Sequence, residues 1–105
     1  MIIFGSSDLG AKKYILSLKK NFGLKIKIID KTNIFEKAKI NIAITGTAIG
    51  PSLDKKIWNK GLKKKVTTIG ILEHWTNFTS RFILNKKKYY PDFIVVNDKY
   101  SKKKL

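Results

Sequence analysis

Five strand-sized runs of branched apolar residues alternate with segments of helical spacing, and this alternation limits the folds open to the chain more than any other feature. The runs are Ile2–Phe4, Lys25–Ile29, Ile40–Thr45, Val66–Leu72 and Phe93–Val96. Most are continuous in apolar character, the pattern of strands covered on both faces. Between them, Ala11, Ile15, Leu18 and Phe22 share one helical face, and Leu53, Ile57, Trp58 and Leu62 make a second stripe. A weaker helix is expected over Phe78–Leu84 and a short one between Thr32 and Lys39. Ser7 or Asp8 suits the cap of the first helix and Gly23 its end. Pro51 sits near the start of the next helix, and Lys63-Lys64-Lys65 closes it against the negative end of its dipole.

Strand–helix alternation of this kind predicts an α/β, three-layer, Rossmann-like domain with a five-stranded parallel sheet. The order 3-2-1-4-5 is favoured and 2-1-3-4-5 is second. The 105 residues suffice for one such domain, spanning 1–105, and for one core. The apolar runs are too short to cross a bilayer, and Met1-Ile2-Ile3-Phe4 reads as a first strand, not a basic leader. Together with the absence of cysteine, this predicts a cytoplasmic protein, with peripheral association at the inner face of a membrane as a variant.

A net charge of +16 invites a nucleic-acid or anionic-membrane reading. Of the 23 basic residues, however, only Arg81 is arginine, the side chain that grips phosphates and bases with a fork. The lysines also cluster ahead of the strands, at Lys19/Lys20, Lys37/Lys39, Lys63–Lys65 and Lys86–Lys88. The segments after the strands are small and polar. Ligands bind outside the carboxyl ends of parallel strands, so the lysine clusters are expected mainly on the opposite edge.

Three post-strand segments carry the candidate chemistry. Gly5-Ser6-Ser7-Asp8-Leu9-Gly10 links a strand to a helix and resembles a phosphate-binding turn, with Gly5, Ser6, Ser7 and Gly10 as ligand-binding candidates. Asp30 lies where a ribose-binding acid would follow, which opens an NAD(P) alternative, but Ser7 replaces the middle glycine of that fingerprint. Gly46, Thr47 and Ser52 form a second candidate anion site after the third strand, without the lysine ending of a P-loop. The third segment, Glu73 to Arg81, gathers the single His and the single Arg. Glu73 and His74 are its proton-transfer candidates, Trp75 and Asn77 would contact a base or sugar, and Arg81 would pair with a phosphate. The first two segments are equally readable as capped turns; for the third, where Trp75 and Phe82 would otherwise be core, His74 a satisfied polar residue and Arg81 solvated, the functional reading is favoured. With one His and no Cys, no metal site is expected.

Thr45-Gly-Thr with Ser52-Leu-Asp-Lys-Lys-Ile-Trp58, then Gly70 to Phe82, then Pro91 to Tyr100 together resemble bacterial surface-polysaccharide biosynthesis proteins. Those are similar to the N-terminal Rossmann-like half of GT-B glycosyltransferases and of UDP-N-acetylglucosamine 2-epimerase-like enzymes. The resemblance implies a nucleotide or nucleotide-sugar ligand. It also implies a second domain or a homodimer partner, without which glycosyl transfer is not expected. A non-catalytic alternative remains, in which a lysine face with Tyr89 and Tyr90 beside Lys86–Lys88 touches nucleic acid or an anionic membrane.

Overall fold

The computed structural model describes residues 1–72 and 78–96. Their elements follow the predicted alternation: β1 (Ile2–Phe4), α1 (Leu9–Phe22), β2 (Lys27–Ile28), α2 (Ile34–Lys37), β3 (Ile42–Thr45), α3 (Leu53–Lys64), β4 (Thr67–Leu72), α4 (Phe78–Phe82), β5 (Ile83–Leu84), β6 (Lys87–Lys88) and β7 (Phe93–Val96). Five of the strands form one all-parallel sheet in the order β2-β1-β3-β4-β7, so the fold is α/β and Rossmann-like. Among the described residues, no helix is long and apolar enough to cross a membrane.

Adjacent residues of β1 face opposite sides of the sheet, as the pleat requires. Ile3 packs with Phe35, Ala43 and Ile57, beneath α2 and α3. Phe4 packs with Ala11, Ile15 and Ile71, beneath α1. The helix ends follow local chemistry. Asp8 caps α1 by accepting from Gly10 N–H at 2.9 Å, and Gly23 ends it at a φ of 63°. Ser52 caps α3 through Lys55 N–H, and Lys65 closes it in the left-handed region.

The strand order is the second of the two expected, and the favoured 3-2-1-4-5 is corrected. In that order β2 would lie inside the sheet and β3 at its edge. Instead β3 pairs on both sides, with β1 and with β4, and β2 is an outer strand of two residues. The physical reason lies in the side chains. Lys25 and Lys27 alternate with Ile26 and Ile28, which suits an edge, whereas Ile42-Ala-Ile-Thr45 carries no charge and tolerates cover on both faces.

Two further expectations shift. The helix predicted to reach Leu84 stops at Phe82, and Ile83–Leu84 pairs antiparallel with Lys87–Lys88. Asn85 and Lys86 turn this hairpin with φ of 52° and 64°, the positive values a two-residue type I′ turn requires. The α3 stripe is also rotated. Its buried positions are Asp54, Lys55, Ile57, Trp58 and Gly61, while Leu62 is 78 % exposed. Phe22, at the end of the α1 stripe, is likewise exposed.

Candidate functional site

In this strand order the sheet's topological switch point lies between β1 and β3, so the loops that follow these two strands flank the crevice. Gly5–Gly10 therefore adjoins Gly46–Ser52. It does not face the segment after β4 across a β1/β4 crevice, because β3 lies between those strands.

One buried carboxylate joins the two loops. Asp54, in the first turn of α3, has no exposed surface. The Ser6 hydroxyl donates to its Oδ2 at 2.6 Å and the Ser7 N–H donates to its Oδ1 at 2.8 Å. Ser6 Oγ in turn accepts from Asp8 N–H, and Ser7 Oγ accepts from Leu53 N–H at 2.9 Å. Asp54 thus occupies the anion position of the Gly5–Gly10 turn with a side chain of the protein itself. Gly5 and Gly46 serve close packing here. A Cβ on Gly46 would come within 2.7 Å of Ala11 Cβ and of Ser6 Oγ, and one on Gly5 within 2.8 Å of Ile57 Cδ1. Gly10 lies inside α1, where its N–H meets the Asp8 cap.

The loop after β3 is held from beneath by two cations. Lys55, only 3 % exposed, donates from Nζ to Ala48 O at 2.7 Å. Arg81, 8 % exposed, donates from Nη1 to Thr47 O at 2.7 Å. The Thr47 hydroxyl donates to Ile71 O of β4, and Trp58 Nε1 donates to Thr45 Oγ1 at 2.8 Å. Burial holds the Lys55 ammonium below the usual lysine range; the nearby Asp54 charge opposes this shift and the Arg81 charge reinforces it. A lysine ammonium carries three N–H donors and the Ala48 bond uses one, leaving capacity for an anionic oxygen.

Lys55 also lines a hollow of about 180 Å³ beside the start of α3, together with Pro51, Ser52, Lys56, Asn59, Leu84 and Tyr89. Its lining combines a helix N-terminus, two ammonium groups, an amide and a phenol, and among the described residues no carboxylate. That set suits a phosphate or another anion carrying hydroxyl groups.

Of the predicted site residues, Ser6, Ser7, Gly46, Thr47, Ser52 and Arg81 come together around this crevice. Glu73, His74, Trp75 and Asn77 lie outside the described residues. Sequence reasoning missed Asp54, Lys55 and Asn59 as parts of the site, and named Tyr89 only for the alternative lysine face. The available signal was spacing: positions 54, 57, 58 and 61 fall within about 100° of one another around the helix, a tighter face than the roughly 180° spanned by 53, 57, 58 and 62. Hydrophobicity alone favours the leucines.

No family model, no curated protein and no solved structure matches this chain.

Proposed function

We propose that this chain is a sugar- or nucleotide-sugar-binding unit of surface-polysaccharide biosynthesis, taking part in glycosyl-transfer-type chemistry only with a second domain or subunit. The observation that carries the reading is the hollow at the start of α3, where buried Lys55 meets Ser52, Lys56, Asn59 and Tyr89 at the C-terminal edge of the sheet. A nucleoside diphosphate would place oxygens on Lys55 and Lys56, and its sugar hydroxyls would meet Asn59 and Tyr89. Support also comes from the way the resembling segments pack. Lys55 and Arg81, which belong to two of them, both hold the Thr47–Ala48 loop.

Calorimetry with UDP, GDP and their sugars tests this reading. The wild-type chain should give binding heat at millimolar ligand. Lys55→Met keeps the length of the stem and removes the charge, so it should weaken binding by about tenfold or more, with an unchanged circular dichroism spectrum. Asn59→Ala, at an exposed position, should weaken sugar-bearing ligands more than the bare diphosphates. No heat with any of these ligands at millimolar concentration overturns the proposal.

A further inference from the structure

A column of aromatic rings runs from the core to the surface on the α3 side of the sheet. Trp58 stacks on Phe82 with centroids 5.7 Å apart and planes at 20°, and Phe82 stacks on Tyr90 at 5.2 Å and 19°. Trp58 and Phe82 are buried, whereas Tyr90 is 51 % exposed, so the last ring of the column meets solvent. It does so in a groove of about 490 Å³ between the C-terminal half of α3 and the β5–β6 hairpin. Lys63 stands on the helix bank and Lys87 and Lys88 on the hairpin bank. Leu62 and Tyr89 add apolar wall, and among the described residues no carboxylate lines the groove.

An occupant must therefore present a flat π-face that extends the column and negative charge on both sides of it. We propose that this groove binds single-stranded nucleic acid, with an unpaired base stacked on Tyr90 and backbone phosphates on Lys63, Lys87 and Lys88. A polymeric anion is favoured over a free nucleotide because the whole chain carries +16, and that field acts on every phosphate of a strand within a Debye length. A duplex keeps its bases stacked inside and offers no face to Tyr90. Lysine is a point charge without the arginine fork, so binding is expected to tolerate sequence. The groove shares Asn59 and Tyr89 with the hollow at Lys55, but Lys63, Lys87, Lys88 and Tyr90 do not line that hollow.

Fluorescence anisotropy of a labelled pyrimidine oligonucleotide of about twelve residues, titrated between about 50 and 200 mM salt, tests the proposal. The full chain should bind the single strand about tenfold more tightly than a duplex of equal length. Replacing both Lys87 and Lys88 by alanine should weaken binding about tenfold and flatten the logarithmic salt slope by about 1.4, or roughly 0.7 for each phosphate that is no longer neutralised. Tyr90→Leu should cost about tenfold at an unchanged slope, since it removes stacking and no charge. Lys12 and Lys13 are exposed on α1, across the sheet, and their joint replacement by alanine should change affinity by less than about twofold. Equal binding of duplex and single strand overturns the proposal, as does an equal loss from the Lys12/Lys13 pair or no binding at about 50 mM salt.

Discussion

Asp54 shows how much of this crevice depends on single polar groups. Its two oxygens receive a hydroxyl from Ser6 and a backbone N–H from Ser7, and water could not replace these donors without opening the loop. Asp54→Ala leaves the Ser6 hydroxyl and the Ser7 N–H, both part-buried, without their acceptor and is expected to cost about 1–2 kcal/mol, read as a lower urea midpoint. Asp54→Asn keeps one acceptor oxygen and should cost less than half as much. Equal losses from the two variants would mean that the side chain's shape and one acceptor oxygen contribute little, and that the charge or the second acceptor carries the effect. Lys55 carries a pH dependence of its own. Its pKa is lower in the folded chain, so the unfolded chain binds more protons between that value and the ordinary 10.5. Stability should rise with pH across that window, and Lys55→Met should abolish the rise. Asp54 escaped hydrophobic patterning because its partners are 47 and 48 residues away, and Lys55, although Ala48 is only seven residues back, because an ammonium is not counted among apolar positions.

At the scale of elements, α3 is the pivot of the molecule. Gly61 lets it approach β4, because a Cβ there would lie 2.5 Å from Thr68 Cγ2 and 3.1 Å from Val66 O. Helix propensity alone makes Gly→Ala favourable by about 0.5–1 kcal/mol. The clash with a buried Thr68, itself hydrogen-bonded to Asp92, opposes this and should dominate. Gly61→Ala is therefore expected to lower stability by about 1–3 kcal/mol in urea unfolding; a stabilised variant would show that α3 can slide outward. The same helix is tied to α2, where Lys60 and Lys64 reach Glu36 at 2.7 and 2.9 Å. Their hydrogen bonds, Lys60 first, lower the Glu36 pKa from 4.5 to about 2. The pair's contribution is present above pH 4.5 and lost as pH falls towards about 2. The groups are exposed, so the effect is small and screened by salt. Thermal melts of Glu36→Gln and wild type should differ near neutral pH and converge in acid. Among the elements, the β5–β6 hairpin was the least legible in the sequence. Leu84-Asn-Lys-Lys lacks the glycine that usually marks a type I′ turn, and its only local sign is Asn85.

For the whole molecule, charge and sheet edges matter most. A net charge of +16 on 105 residues repels itself in the compact state, so adding salt at low ionic strength should raise the melting temperature. A flat or falling response would mean that local ion pairs outweigh the general field. The two outer strands of the sheet contrast. β2 carries Lys27, whereas Phe93, Ile94, Val95 and Val96 of β7 are all at least 36 % exposed. The charge distribution only partly follows the expected division between edges. Lys63 and Lys64 do close α3, but Lys87 and Lys88 stand in a hairpin, and Lys55 is buried at the crevice.

The sequence by itself determined the α/β class, the strand and helix segments and most helix ends, because period, caps and turn residues act over a few neighbouring positions. It also marked Ser6, Ser7, Thr47 and Arg81 as residues to watch. The tertiary structure alone decided that β3 pairs with β1, which moved the crevice and brought the Gly5 and Gly46 loops together. It alone turned α3 so that Asp54 and Lys55 face inward and Leu62 outward. Strand pairing and the burial of charge are long-range events: Ser6 and Asp54 are 48 residues apart, and no local pattern in either segment specifies the other.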